Sequence, residues 1–184
     1  MQHIENLLFL LLVLVIGLFS LTLEADGLRE VTSQKNVYVT EWSKLKHRAE
    51  QGDPEALFVL GNFYFDPPKG SGYRKNYKKA AEYYFQASIR DYPAAQYNVA
   101  LMLHQGLGFE KNTAESYAWF YLASINPSPV AKHINSKTAV IVDQLNSELT
   151  TTELSNAQAK VENYRQIIKT KRYRDAKLPE LIEP

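Results

Sequence analysis

Two stretches of this chain carry the same residues at a fixed offset. Gly70, Gly72, Lys75, Asn76, Ala87 and Ser88 recur 36 positions later as Gly106, Gly108, Lys111, Asn112, Ala123 and Ser124. Aromatic positions keep that offset: Tyr73 matches Phe109, Tyr83 matches Trp119, Tyr84 matches Phe120 and Phe85 matches Tyr121. Upstream the offset is 39, pairing Pro54 with Pro93, Ala56 with Ala95, Leu60 with Val99 and Gly61 with Ala100. The difference falls in the loop holding Pro67 and Pro68, where an insertion costs least. Self-similarity at this period is the signature of stacked repeats, each burying one face against its neighbour.

Each unit divides at its Gly-x-Gly. The spacing predicts a first helix over Pro54 to Tyr64 and again over Pro93 to His104, each opened by a proline whose missing N–H is no loss there. Asp53 stands at an N-cap position. Ala56, Leu60, Phe63 and Tyr64, like Ala95, Val99, Met102 and Leu103, fall on one helical face. After the glycines, which permit positive φ, second helices are expected over Tyr77 to Arg90 and Thr113 to Ile125. Ala56 and Gly61, with Ala95 and Ala100, let antiparallel helices approach closely, and the large aromatics opposite fill the gap.

These residues resemble the Sel-1-like repeat family, a branch of the tetratricopeptide-like helical-hairpin solenoids. The second unit carries most of the likeness, in Ala95-Gln96-Tyr97-Asn98, Gly106-Leu107-Gly108-Phe109, Tyr117-Ala118-Trp119-Phe120 and Ala123. The first matches through Gly52-Asp53, Ala56, Leu60-Gly61, Tyr64, Lys79-Ala80, Tyr83-Tyr84 and Ala87. It departs at Asp66 to Lys69, which lengthens the turn, and Asp91 stands where the family usually has glycine. The resemblance implies an all-α fold: a short solenoid of helical hairpins with capping helices, covering roughly residues 41–170.

The chain has 184 residues, enough for one domain with a real core. Cysteine is absent, which excludes a disulfide framework, a thiolate metal site and a cysteine nucleophile. A net charge of +1 argues against dedicated nucleic-acid binding. Leu7 to Leu23 is an uncharged apolar run, at the short end of a membrane span and the long end of a signal-peptide core. No Lys or Arg precedes it and cleavage sites are poor, so residues 1–25 are read as an uncleaved signal anchor. The alternative is a cleaved signal and a soluble periplasmic or secreted protein. Arg29 and Lys35 after the run pull the body toward the cytoplasm. The resemblance pulls it outward, because bacterial members with such N-termini are often exported, and an extracytoplasmic body is the reading adopted. Residues 26–40 read as a linker.

A helix is expected from about Thr40 to Gln51, as a leading cap over the first hairpin. Beyond Ser124, Asn126-Pro127-Ser128-Pro129 breaks the chain. A helix over Val130 to Leu149 follows, with Ile134, Ala139, Val142 and Leu145 as its apolar positions. Another runs to about Ile168 behind a capping box of Thr150 and Glu153. The resemblance makes this a closing pair and ends the repeat domain (41–169) there. Residues 170–184 read as a disordered tail.

No catalytic set can be assembled. The four histidines have no helical metal-pair spacing, and His104 reads as a helix-end residue meeting C-terminal carbonyls. The Gly-x-Gly pairs lie between helices, not after a strand, so they are turn chemistry rather than phosphate binding. No cofactor and no metal are expected. The function expected is a membrane-tethered adaptor holding an unknown protein or peptide on the concave face, with the membrane contacted through Leu7 to Leu23. The alternative is an envelope enzyme or accessory factor acting on a polymer such as peptidoglycan. Cysteine-rich relatives have been linked with β-lactam hydrolysis, but this chain lacks their paired cysteines. Candidate partner-binding residues are Asn62, Tyr97 and Asn98 on the first helices. Lys75, Lys78 and Lys79 are candidates for a rim on the following helix, though a solvated helix face is the plainer reading of that basic run.

Overall fold

The computed structural model describes residues 41–182. The chain divides into two units at Lys44, and all packing described here lies within the second. The anchor and linker expectations fall outside the described residues. Among those residues no helix is long and apolar enough to cross a membrane.

The architecture is all-α. Residues 41–50 are helical (α1). They are followed by α2 (Pro54–Phe65), α3 (Tyr77–Ser88), α4 (Pro93–Gln105), α5 (Thr113–Ser124), α6 (Lys132–Glu148) and α7 (Thr151–Thr170). Helix α2 pairs with α3, α4 pairs with α5, and α3 packs against α4, so the two hairpins stack in chain order.

The local reasons repeat as the sequence does. Asp53 Oδ1 accepts from the Ala56 amide at 2.9 Å and caps α2. Asn76 and Asn112, equivalent across the repeat, cap α3 and α5 through the amides of Lys79 and Glu115 at 2.8 and 2.9 Å. Both pairs of turn glycines lie at positive φ, from 70° to 79°. Gly61 is where α2 and α3 touch: a Cβ there would lie 2.4 Å from the Tyr84 ring. Ala56, Ala95 and Ala100 are fully buried. The Ser116 hydroxyl donates to the Ala100 carbonyl at 2.8 Å, holding α5 to α4.

Helix α6 packs on α5 and α4, and α7 packs on α5. From there Tyr164 of α7 reaches rings of both second helices, Trp119 at 4.2 Å and Phe85 at 6.3 Å between centroids. The buried face of α6 is Thr138, Val142 and Leu145. Ala139 is exposed instead, and Thr138 meets its polar requirement by donating to the Ile134 carbonyl at 2.8 Å. Residues 171–182, part of the stretch read as a disordered tail, lie against the repeats. Tyr173–Asp175 is a 3-10 turn, the Arg90 guanidinium lies 4.7 Å from the Tyr173 ring centre, and Leu181 bridges to Phe109 in antiparallel fashion. Apolar side chains at Tyr173, Ala176, Leu178 and Leu181 pack on the core and hold the segment.

Asp91 occupies a left-handed conformation (φ 64°), at the repeat position of Gly52 (φ 81°). Its carboxylate offsets the missing glycine by accepting from Gln96 Nε2 at 3.1 Å and Asn126 Nδ2 at 2.8 Å. Gln96 and Asn126 are buried, so this knot ties the α3–α4 turn to the segment after α5. Burial raises the Asp91 carboxyl above its ordinary value, and the two amides only partly oppose that. A raised folded value means that Asp91 favours the folded state when protonated, a contribution lost as pH rises through the folded value. Asp91→Asn keeps the acceptor oxygen, suits the left-handed backbone and removes the charge. It is expected to raise the unfolding free energy at pH 7 by less than about 1 kcal/mol, with the gap to wild type closing as pH falls toward 4. Paired urea titrations at the two pH values check this.

Candidate partner-binding face

The first helices α2 and α4 present the sequence-derived candidates. Asn62 is exposed and Asn98 half-buried, rather than both exposed as expected. They meet at Tyr84. Its hydroxyl donates to Asn62 Oδ1 at 2.7 Å, and the Asn98 side chain lies beside the same hydroxyl and favours its ionised form. Burial pushes that phenol up to about 12, with Asn98 partly opposing it. The ring is buried against Gly61, and Phe58 lies 5.7 Å away. Two neighbouring first helices are thus joined through a side chain of the second helix between them.

Sequence reading missed Tyr84 as a member of this cluster, although a signal existed. Its repeat counterpart is Phe120, and those of Asn62 and Asn98 are Leu101 and Val59. At all three positions one repeat is polar where the other is apolar, and the structure brings the three together.

Tyr97 is half-buried. Its ring meets Phe120 edge-on at 5.8 Å, and Lys137 of α6 lies 4.7 Å from its centre. That cation–π contact holds the aromatic in place. Lys137 was not anticipated, because no sequence spacing links α6 to α4.

The basic run is engaged at home. Lys75 precedes the helix instead of lying on it, pairs with Asp66 at 3.5 Å and lies 5.6 Å from the Tyr77 ring centre. Lys79 stands 5.2 Å from the Tyr64 ring centre. Lys78 is half-buried. Two of the three cations therefore rest on aromatic rings of their own hairpin.

One buried carboxylate lies elsewhere. Glu115 is 5% exposed. It receives the Tyr164 hydroxyl on one oxygen and Lys160 Nζ on the other at 3.0 Å. Burial, then the neighbouring carboxylate, raises the Tyr164 phenol. A cleft of about 570 Å³ lies beside it, lined partly by Lys177 to Glu180. With a partner on each oxygen, Glu115 acts as a strut holding α7 to α5. Among the described residues no group of His, Asp or Glu is placed to hold a metal ion.

Comparison with known proteins agrees with this geometry. The Sel1 repeat model matches residues 54–92 and 93–126. Among solved structures, the chain is similar to c5321, a protective antigen present in uropathogenic Escherichia coli strains and displaying an SLR fold. That likeness has 22% identity and a TM-score of 0.54, and it covers 76% of this chain and 29% of that one. A Sel1 repeat protein from Oxalobacter formigenes is 27% identical over 54% of this chain and 40% of its own, at a TM-score of 0.44. This chain thus spans well under half of either. No curated protein matches it. The first likeness shows the fold, and the two stretches that resemble the Sel1 repeat coincide with the hairpins α2–α3 and α4–α5.

Proposed function

We propose that this chain is a protein-interaction scaffold, tethered to a membrane through Leu7 to Leu23, that holds a segment of another protein along the face of α2 and α4. The observation that carries the reading is the gathering of Asn62, Asn98 and Tyr97 on that face, fixed from behind by Tyr84 and Lys137. Helical-hairpin repeats supply an extended surface on which such residues act together, and pre-positioned amides and aromatics lose little entropy on binding. The proposal places the body on the extracytoplasmic side.

Crosslinking and pull-down of the full chain from membranes supplies the partner. Binding kinetics at two ionic strengths then test the face. Replacing Tyr97 and Asn98 with alanine is expected to weaken affinity by about tenfold or more at every salt concentration, as loss of a central contact does. Reversing Lys78 and Lys79 to glutamate is expected to slow association with an acidic partner at low salt only, as rim charges do. Unchanged affinity in the Tyr97/Asn98 variant overturns the proposed face. A mature N-terminus between Ser20 and Gly27, read by mass spectrometry, overturns the tether.

A further inference from the structure

The chain pairs its own C-terminal segment with the turn of the second repeat. The Glu110 amide donates to the Glu180 carbonyl at 2.8 Å, the Ile182 amide donates to the Gly108 carbonyl at 3.1 Å, and Leu181 lies opposite Phe109. These bonds make one rung of an antiparallel ladder. Repeat equivalence puts Gly72, Tyr73 and Arg74 where Gly108, Phe109 and Glu110 stand. Gly72 and Gly108 share a positive φ, 74° and 71°. In the first turn the Gly72 carbonyl and the Arg74 amide have no backbone partner among the described residues. Tyr73, edge-on to Phe63 at 4.6 Å, holds the place of Phe109.

Charge separates the two turns. The second has Glu110 where the first has Arg74, and the insertion adds Lys69. Lys69 and Arg74 are exposed, and neither is in an ion pair among the described residues. The segment seated in the second turn runs Leu178-Pro179-Glu180-Leu181-Ile182, apolar and acidic.

We propose that the first-repeat turn, Gly70 to Arg74, is a docking edge for an extended acidic–apolar segment of a partner protein. The partner adds the rung that the chain's own tail supplies in the second repeat. Its backbone bonds the Gly72 carbonyl and the Arg74 amide, an apolar side chain lies against Tyr73, and carboxylates meet Arg74 and Lys69. Strand addition of this kind takes affinity from backbone bonds and selectivity from flanking side chains. The site involves none of the residues of the α2–α4 face and does not rest on the function proposed for it.

The probe is a fluorescent peptide with the sequence of Leu178 to Pro184, titrated against the full chain in neutral detergent and read by anisotropy. Saturable binding is expected. Arg74→Glu is expected to weaken it by about tenfold at low salt, with less effect at high salt. Ile182→Pro removes the amide that bonds Gly108 and loosens the native tail. It is expected to leave peptide affinity unchanged, because the peptide occupies the other turn. Absence of saturable binding overturns the proposal. So does affinity indifferent to Arg74→Glu, or raised by Ile182→Pro, since either places the peptide elsewhere.

Discussion

Trp119→Ala is expected to destabilise the folded chain by about 3–5 kcal/mol, the cost of removing a large ring from a core that cannot collapse onto the gap. Trp119 has no exposed surface. It meets Phe85 edge-on at 5.8 Å and Tyr164 at 4.2 Å, so one ring joins helices α3, α5 and α7. The loss should therefore spread beyond its own hairpin. Tyr164 also holds Glu115, and a loosened Tyr164 exposes that carboxylate and its bond to Lys160. Urea titration followed by far-ultraviolet circular dichroism measures the change. Trp119→Phe, which keeps an aromatic in the cavity, should lose less than the alanine variant. If the alanine variant unfolds at the wild-type midpoint, the ring is not part of the core.

What the sequence made legible was whatever is decided within one helix or one turn. Prolines marked where α2 and α4 begin, positive-φ glycines marked the turns, and Thr150 with Glu153 marked the start of α7. These signals act over three or four residues, so spacing alone exposes them. The partner of an apolar face is a different matter. Helix α7 buries Ala157, Val161, Tyr164 and Ile167, but nothing in such a stripe says which helix will cover it. Tyr164 and Glu115 are 49 residues apart, and no local rule joins them. The contacts of residues 171–182 were hidden for a related reason. Their charges and prolines resemble a solvated end, while Leu178 and Leu181, too few to form a periodic pattern, do the packing.

The candidate site was legible in part, and symmetry explains which part. Positions alike in both repeats, such as the turn glycines and the cap asparagines, build the hairpin. Positions that differ, Asn62 against Leu101, Asn98 against Val59 and Tyr84 against Phe120, form the polar cluster on the first-helix face. A repeat needs the first set to stack. It does not need the second, and those positions are free to serve something other than the fold.

The same comparison gives a paired test at the turns. Gly72→Ala and Gly108→Ala are one substitution at one repeat position, yet their costs should differ widely. Each places a side chain at positive φ, 74° and 71°, which costs roughly 1–2 kcal/mol for a residue with a Cβ. At Gly72 the cost should end there, because an added Cβ meets nothing within 4 Å among the described residues. At Gly108 the added Cβ would lie 2.4 Å from the Tyr77 carbonyl oxygen and 2.6 Å from its carbon. Those are backbone atoms at the start of α3, so no rotamer change relieves the clash. The turn must move away from the first repeat, adding about 1–3 kcal/mol of overpacking. That movement also draws the Gly108 carbonyl away from the Ile182 amide it accepts from. Gly108→Ala should therefore lower stability by about 2–5 kcal/mol in total and release the C-terminal segment. Urea midpoints give the first quantity, and hydrogen exchange at the Glu110 and Ile182 amides gives the second. Equal losses at the two glycines would mean that the second turn is not pressed against the first repeat, and that its glycine serves the backbone angle alone.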